Sequence, residues 1–463
     1  MHLANSTTAR IKKITLFIFA ILTYTFGFSQ ENSPYSRYGI GDLVPNQNMV
    51  SRSMGGIAAG FIDSTGTYIR YSQSINLANP ASLGSLNTTM FDIGGEIDVR
   101  TLRSNISPAK YTATSTIISY LQLGFPITPK RMLAKNNFWG VSFGLRPMTR
   151  VNYKISADKR LTGIDSITTL YEGNGGLNQA NISTGVKIKN FSFGASTGYS
   201  FGNRQTGTKI GFNNDSVKYQ QSNTQVDSRF GGVFLDLGLQ YSFNIYKTDP
   251  STGRTKHTGT FRIGFDANLQ QNLKGKRNNV NETFLYGTSG SVIAIDTVTS
   301  VKDEKGTVKL PATYSGGFTY TNAHWLFGAD VDFTQWSQYR YFGAADAVQN
   351  NVTVHMGAQY CGAKENTLAT KYWTFVKYRA GMYFGNDYVK LNTTRPDFGL
   401  TLGAGLPITS FQRLRQGDFS VVNLGFELGQ HGNKQNTSLR ETVMRFNFGF
   451  SLPAAWFQKR KYD

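Results

Sequence analysis

The sequence predicts an all-β fold: a transmembrane antiparallel β-barrel of about 14 strands with an N-terminal plug inside its lumen. Three observations carry this prediction. Apolar and polar residues alternate in many runs of membrane-strand length, as from Phe191 to Phe201. Before these runs, residues 53–83 are rich in small residues and follow no period of 2 or 3.6. The sequence has 39% hydrophobic residues and 49 glycines, and this combination is typical of strands that face water on one side.

The first residues predict export. A basic stretch that ends at Lys13 precedes an apolar run, residues 14–22, that is too short to span a bilayer. Small residues before Gln30 fit a signal-peptidase site, so residues 1–29 are predicted to be a cleaved signal peptide. The expected location is therefore the cell outer membrane, with the barrel crossing it many times.

Residues 30–88 are predicted to form the plug. The stretch is too apolar for a solvated tail and has no pattern with which to build its own core. The alternative is a disordered periplasmic lead-in. An Asn-Pro-Ala turn is expected to hold the plug against the wall, and three arginines would pair with carboxylates of the inner wall. These plug residues are Asn79, Pro80, Ala81, Arg37, Arg52 and Arg70.

From about residue 89 the pattern period becomes 2, and the barrel is predicted over residues 89–452, with a periplasmic tail at 453–463. A soluble β-sandwich also alternates, but the number and length of the segments favour a barrel, and an even count suits bacterial barrels. The predicted strands are 89–100, 113–125, 137–149, 178–188, 191–202, 232–245, 259–271, 312–321, 324–335, 350–360, 374–385, 397–406, 419–430 and 441–452.

Three long connections fall on the same side of this arrangement, near 150–177, 203–231 and 272–311. They are predicted to be outer loops, because outer-membrane barrels carry long external loops and short periplasmic turns. Phe284 and Tyr286 belong to scattered apolar residues in these loops and are predicted to capture a ligand or partner. The alternative is that the loops pack on each other as a lid.

The alternation places charged residues on the inner face of the barrel. Paired carboxylates can serve acid–base catalysis, but no nucleophile motif accompanies them, so ion pairs that anchor the plug are favoured. No metal-ligand spacing, phosphate-binding motif or CxxC pair occurs, and neither an enzyme nor a metal or other cofactor is expected. The inner-wall charges are Asp236, Arg262, Asp266, Asp330, Asp332, Lys377, Arg379, Glu427 and Arg445.

The net charge of +20 is spread through the predicted loops and forms no basic helix. We therefore expect no nucleic-acid partner. The phosphates of outer-membrane lipid and lipopolysaccharide are the expected partners of this basic surface.

Gly144 and Pro147 lie in the third predicted strand and suggest a lateral gap. Pro147 has no N–H to give to a ladder, and a closed barrel has no edge strand to hold it. A local break in pairing is therefore predicted beside it. The alternative is that Pro147 only ends the membrane part of the strand at its outer rim.

Three stretches resemble the FadL/TodX long-chain fatty-acid transporter family. They are the Met-Gly-Gly at residues 54–56, the Asn-Pro-Ala-Ser-Leu at 79–83, and the hairpin at 310–337, in which Trp336 suits an aromatic girdle. The resemblance implies a plugged barrel for passive uptake of hydrophobic molecules such as long-chain fatty acids, with a kinked third strand that opens the wall. The branch that includes the type IX secretion shuttle protein implies the alternative: a non-transporting barrel subunit or cargo-binding component of an outer-membrane protein export or assembly complex.

Overall fold

The structure, a computed structural model, describes residues 33–63, 74–104, 110–162, 165–213, 219–248, 250–251, 253–286, 292–362, 371–408, 420–433 and 439–454. The predicted signal peptide, Arg70 and the predicted tail after Ala454 lie outside these residues.

The elements are mostly strands, with two one-turn α-helices and four 3₁₀ turns. None of the helices in the described residues is long and apolar enough to cross a membrane. The helices are α1 Met49–Arg52 and α2 Lys130–Leu133, and the 3₁₀ turns are Pro34–Arg37, Pro80–Ser85, Trp336–Gln338 and Tyr372–Thr374. The strands are β1 Asp42–Leu43, β2 Thr89–Ser104, β3 Lys110–Pro126, β4 Phe138–Leu161, β5 Asp165–Ile188, β6 Phe191–Phe212, β7 Gln221–Thr248, β8 Thr255–Asn268, β9 Gln271–Tyr286, β10 Val292–Leu310, β11 Thr313–Asn322, β12 Trp325–Thr334, β13 Arg340–Tyr341, β14 Asn351–Cys361, β15 Lys377–Lys390, β16 Thr394–Pro407, β17 Val421–His431 and β18 Leu439–Ala454.

Fourteen of these strands, β2 to β8, β11, β12 and β14 to β18, form a closed antiparallel barrel, because β18 pairs along its whole length with β2. The predicted all-β antiparallel barrel of about 14 strands is therefore confirmed. Side chains alternate between the two faces of this closed wall. On β7, Val233 and Leu239 are 68% and 55% exposed, whereas Asp236 and Gln240 are buried. Apolar side chains thus point to lipid and polar ones to the lumen.

Several strands extend far beyond the length that a membrane requires. β7 has 28 residues and β4 has 24, against the roughly 9–11 that span a bilayer. The outer part of β7 pairs with β6 and β9, and β9 pairs with β10, which adds two strands that belong only to this region. We call residues 151–161, 165–177, 202–212, 221–231, 271–286 and 292–310 the outer sheet. Outer-membrane barrels carry their longer connections outside the cell, so this sheet lies on the external side.

The outer sheet corrects the prediction of long loops near 150–177, 203–231 and 272–311. These stretches are mainly strand. Above the membrane both faces of a strand contact water, so the alternation of apolar and polar residues that marks membrane strands is absent there. Threonine, valine and isoleucine in these stretches still favour an extended backbone, and this propensity is the weaker sign of strand that the sequence contains.

Residues 33–63 and 74–88, which we call the luminal segment, pack against the inner face of the barrel. Met54, Ile57 and Phe61 are fully buried, with Val50 and Leu326 in the same cluster. Local caps fix the short helical turns of the segment. The side chain of Asn48 accepts a hydrogen bond from Ser51 N, 2.8 Å away, at the start of α1. Four of the five cluster residues belong to the segment and Leu326 belongs to the wall, so the segment packs both on itself and on the barrel.

Glycines on the inner wall allow the luminal segment to approach the strands closely. A Cβ atom at Gly238 would lie 2.1 Å from Asn79 Oδ1, and one at Gly264 would lie 1.8 Å from the carbonyl oxygen of Ala59. No side chain fits at such distances, so these two positions require glycine. The high glycine content of the sequence thus reflects contact between wall and luminal segment as well as turns.

Candidate functional site

Buried ion pairs join the luminal segment to the barrel. Five arginines and six carboxylates form one connected set, which we call the luminal network. The network spans β2, β4 and β15 to β18 as well as the luminal segment. Its members are Arg52, Arg100, Arg150, Arg395, Arg445, Asp42, Glu96, Asp98, Asp387, Glu427 and Glu441.

Two residues of the luminal segment enter the network. Arg52 donates to Glu96 and lies 3.4 Å from Glu427, and the exposed fraction of its side chain is 2%. Asp42 accepts from Arg100 at 3.0 Å. Because charges taken out of water are costly unless they are paired, these contacts fix the position of the segment.

The wall residues of the network also pair with one another. Arg445 lies 2.5 Å from Glu427 and 3.4 Å from Asp98. Arg395 lies 2.6 Å from Asp387 and 3.3 Å from Glu441. The network therefore continues from strand to strand around one side of the lumen.

Further contacts hold the segment to β12 and to the start of β15. Asp330 accepts hydrogen bonds from the backbone N–H groups of Ala58 and Ala59, the second at 2.7 Å. Lys377 donates to Asp63 at 2.6 Å. Charge-assisted bonds of this kind are stronger than neutral ones, so these contacts add to the anchoring by the luminal network.

A cavity of about 350 Å³ lies between the luminal segment and the wall. Its lining is rich in charge and includes Asp236, Asp266 and Arg146. Asn268 donates to Asp236 at 2.5 Å, while one oxygen of Asp266 has no hydrogen-bond partner. Within the described residues, no group of three histidine, cysteine or acidic side chains is placed to hold a metal ion.

The structure places all nine predicted inner-wall charges on the luminal side. Eight are buried below 10% exposure, among them Arg262, which donates to Ser242 at 3.0 Å, and Arg379, which donates to Gln359 at 2.7 Å. Asp332 lies 3.2 Å from His355 and is half-buried. The fully buried set is Asp236, Arg262, Asp266, Asp330, Lys377, Arg379, Glu427 and Arg445.

The Asn-Pro-Ala turn lies against the wall. Asn79 accepts from Ala81 N at 3.0 Å and donates to the carbonyl oxygen of Phe265 at 3.3 Å. The backbone of Pro80 passes directly over Gly194. Among the predicted arginines, Arg52 belongs to the luminal network, whereas the guanidinium of Arg37 lies 4.2 Å from the ring centroid of Tyr171.

Three aromatic residues differ from the sequence interpretation. Phe284 lies in strand β9 and is fully buried, so it is not part of an exposed loop cluster, while Tyr286 at the end of the same strand is 51% exposed. Trp336 is 5% exposed and packs on Tyr388, with ring centroids 4.4 Å apart. It belongs to the luminal core at the outer end and not to an aromatic girdle, because the chain turns inward after β12.

Sequence reasoning missed most of the luminal network. Glu96, Asp98 and Arg100 alternate with apolar residues in a predicted strand, so the alternation already pointed them inward. Arg395 lies before the predicted start of its strand, and Asp42 lies in a segment without a period. Only the folded contacts identify those two.

The wall has a seam between β3 and β4. Their ladder joins Leu121–Pro126 to Gly140–Leu145 and includes Gly144. Farther out, the described parts of these two strands do not pair with each other. Pro147 lies two residues beyond the last pair, and the register between β4 and β5 shifts directly after it. The seam thus begins where the proline removes a backbone donor.

Strand β1 of the luminal segment lies in this seam. Asp42 and Leu43 pair with Arg150 and Thr149 of β4. Arg150 reaches across and donates to Ser115 of β3 at 3.0 Å. Leu43 is 40% exposed and lines the cavity, so the cavity reaches the seam at this residue.

The seam lies at the outer part of the apolar band. Pro147 pairs with Asn178, which pairs with Phe201, the last apolar residue of the outward face of β6. Ile118 lies in the part of β3 that does not pair with β4, and its side chain is 65% exposed. The break in pairing therefore begins within the part of the wall that faces lipid.

The fold is shared with solved outer-membrane channels. A Pseudomonas aeruginosa FadL homologue aligns with a TM-score of 0.52 at 14% identity, over 89% of this chain and 99% of that chain. The Pseudomonas putida toluene transporter TodX gives 0.51 at 14%, over 90% and 99%. The CymD monoaromatic hydrocarbon channel gives 0.51 at 14%, over 89% and 99%. This likeness confirms the barrel architecture expected from the resemblance.

No curated protein matches the chain significantly. A family model does match, and it covers residues 10–463, which is nearly the whole sequence. The description of that model is BamG. The chain, with its FadL-type barrel and its luminal network, therefore belongs to the BamG family.

Proposed function

We propose that this protein is a sealed barrel that binds another protein at the outer membrane, as a subunit of a larger complex. The luminal network is the observation that carries this proposal. It joins the luminal segment directly to β2 and β17 and, through shared partners, to four further strands, and breaking a buried pair is costly. A segment held in this way seals the lumen at rest.

The polarity of the lumen supports the same proposal. A hydrophobic solute gains from apolar surface, and sites for such solutes are lined mainly by apolar side chains. The cavity here carries charged side chains from several strands, among them Asp236, Asp266 and Arg395. An apolar molecule inside it would displace the water and polar partners that these groups need.

The outer sheet supplies the surface for a partner. Every residue of β10 from Val292 to Asp303 is exposed. An external sheet of this size does not serve the barrel ladder, which runs from β8 directly to β11. A protein-binding role accounts for both the sealed lumen and this added surface.

Purification from native outer membranes in mild detergent tests the proposal. The chain would carry an affinity tag, and another barrel of the same cell with the same tag would serve as control. We expect a stoichiometric protein partner with this chain and not with the control. Recovery of the chain alone, with acyl chains bound in the barrel, would contradict the proposal.

A second candidate function is passive uptake of hydrophobic molecules such as long-chain fatty acids or monoaromatic compounds. The seam favours it, because Leu43 lies in the seam and lines the cavity. The fold neighbours include a toluene transporter and a monoaromatic hydrocarbon channel. In this reading, a molecule leaves the cavity sideways past Leu43 and Met148.

A disulfide across the seam tests the second candidate. Leu43 and Thr149 are opposite each other in the β1–β4 ladder, so the double variant L43C/T149C would lock the seam. We expect uptake of labelled oleate or toluene by cells to fall at least tenfold and to recover with reductant. The single variant L43C is the control, and unchanged uptake by the oxidised double variant would refute lateral passage.

A further inference from the structure

Strand β10 ends the outer sheet with an edge that is largely unpaired. One side of β10 pairs with β9 from Val292 to Leu310. On the other side, in the described parts of the chain, only Val308 and Lys309 pair, with the short strand β13. The main-chain groups of residues 292–306 on that side therefore have no ladder. Such a row of free N–H and C=O groups is a template for another strand.

The lower part of this edge, residues 302–305, carries the features that block strand addition. Lys276 lies 3.3 Å from Asp303, and Arg277 donates twice to Glu304, at 2.6 and 2.7 Å. Charged side chains are a device by which natural sheets protect their edges.

The upper part, residues 292–301, has a different character. Asp296 is its only charged residue, and the rest are apolar, β-branched or small. Ile293, Ile295 and Val298 are 55%, 46% and 70% exposed. Leu285 and Tyr286 add exposed apolar surface at the tip of the same hairpin. Exposed apolar clusters of this kind mark interaction sites.

Two bulges aim side chains of the upper part away from β9. The register shifts between Ala294 and Asp296 and again between Thr297 and Thr299. Ile295 and Val298 are the extra residues and have no cross-strand neighbour on β9. Bulges commonly redirect side chains in this way. These two residues are thus available to a strand on the free side.

We infer that residues 292–301 of β10 bind an extended, uncharged strand of a partner protein, which continues the ladder that β13 begins. The inference rests on the proposed function and names its binding surface. Main-chain hydrogen bonds supply the affinity, and contacts with Ile295 and Val298 supply the specificity, as in other cases of strand addition. The occupant is apolar and β-branched, because Asp296 is the one residue of this stretch that could meet a counter-charge.

Hydrogen exchange on the complex from native membranes tests the inference. The complex and the same barrel after removal of its partner would be compared by mass spectrometry. We expect amide exchange of residues 292–301 to slow at least tenfold in the complex. Residues 156–161 of β4, on the opposite free edge of the outer sheet, should exchange at the same rate in both samples.

The variant I295K/V298K tests the same surface by adding charge. We expect it to recover at least tenfold less partner, while S156K/A157K on the opposite edge recovers the normal amount. A heat-modifiable gel shift would show that both variants are folded. Normal recovery with I295K/V298K would overturn the inference.

The outcomes separate the two proposals. A stoichiometric partner with unchanged exchange at residues 292–301 overturns the strand-addition inference and leaves the proposed function standing. Slowed exchange caused by a second copy of this chain overturns the assignment to a different protein. Purification without any protein partner overturns the proposed function and the inference with it.

Discussion

Arg52 connects the luminal segment to two carboxylates of the wall. It donates to Glu96 and lies 3.4 Å from Glu427, and all three side chains are buried. Glu96 also lies 3.7 Å from Arg150, and Glu427 lies 2.5 Å from Arg445, so Arg52 is the cation that the luminal segment adds to charges already paired within the wall.

Replacing Arg52 with glutamine should release the luminal segment. The substitution removes one of the two cations beside each of Glu96 and Glu427, and breaking a buried pair costs about 3–5 kcal/mol. We expect frequent channel openings in planar bilayers and faster proteolysis of the segment. Arg277→Gln, which breaks an exposed pair on the outer sheet, is the control and should stay closed. Conductance equal to that of the unchanged protein would contradict this role.

Replacing Gly238 with alanine should destabilise the contact between wall and luminal segment. The new methyl group would lie 2.1 Å from Asn79 Oδ1 and 2.9 Å from Pro80 Cδ. Overpacking of this kind costs about 1–3 kcal/mol. The temperature of the heat-modifiable gel shift should fall. Gly316→Ala is the matched control, because its nearest atom, on Phe265, is 3.8 Å away. Equal effects of the two substitutions would argue against close packing at Gly238.

The pair between Arg277 and Glu304 should make the lower edge of β10 sensitive to acid. Hydrogen bonds from Arg277 lower the pKa of the Glu304 carboxyl below its ordinary value of 4.5. A group with a depressed pKa stabilises the fold above its ordinary pKa, and this contribution is lost as pH falls through the folded value. Amide exchange near Glu304, corrected for intrinsic rates, should stay constant from pH 7 to 5 and rise only in more acidic buffer. Glu304→Gln should remove the dependence.

Inward charges were predictable from the sequence, and their partners were not. Asp330 and Asp332 alternate with outward apolar residues. The rule that assigns them to the lumen uses only the alternation along their own strand. Pairing Arg52 with Glu427 requires two stretches far apart in the chain to meet inside the barrel. No local pattern encodes that meeting.

Among the elements, the barrel strands and the outer sheet show what periodicity can detect. All fourteen barrel strands overlap predicted segments, because lipid imposes apolar residues on one face. β9 and β10 were predicted as loop, since strands above the membrane carry no alternation imposed by lipid. The pairing of β9 with β7 and of β10 with β9 follows from no alternation of the sequence.

Deleting residues 30–86 should leave an inserted barrel that admits polar solutes. The barrel ladder closes from β18 to β2 without the luminal segment, so insertion does not depend on it. We expect higher susceptibility of cells to small hydrophilic antibiotics and a larger conductance in bilayers. If the truncated barrel excludes these antibiotics as well as the intact protein does, the luminal segment is not a plug.

For the whole molecule, the barrel and the outer hairpin should be separable. Replacing residues 278–303 with Asn-Gly removes the upper part of β9 and β10, whereas β8 still pairs with both β7 and β11. We expect a normal heat-modifiable gel shift and at least tenfold lower recovery of the protein partner. A variant that no longer inserts would mean that the hairpin takes part in barrel formation.

The global architecture followed from the sequence, but the seam did not. The barrel, its number of strands and the side that carries its long connections can all be predicted from repeated local patterns. Pro147 pointed to a break in pairing, yet nothing in the sequence indicated that Asp42 and Leu43 fill it. Those residues lie in a stretch without a period, and two residues are too few to read as a strand.

The position of β1 in the wall has a consequence for the order of assembly. The luminal segment precedes all barrel strands in the sequence, and β18, which closes the barrel by pairing with β2, is the last of those strands. Contacts between such distant residues form late, because the loop they close is long. The segment must therefore already lie among the strands when β18 meets β2, since the finished wall surrounds it. In this chain, the luminal segment thus acts as a core around which the barrel strands close.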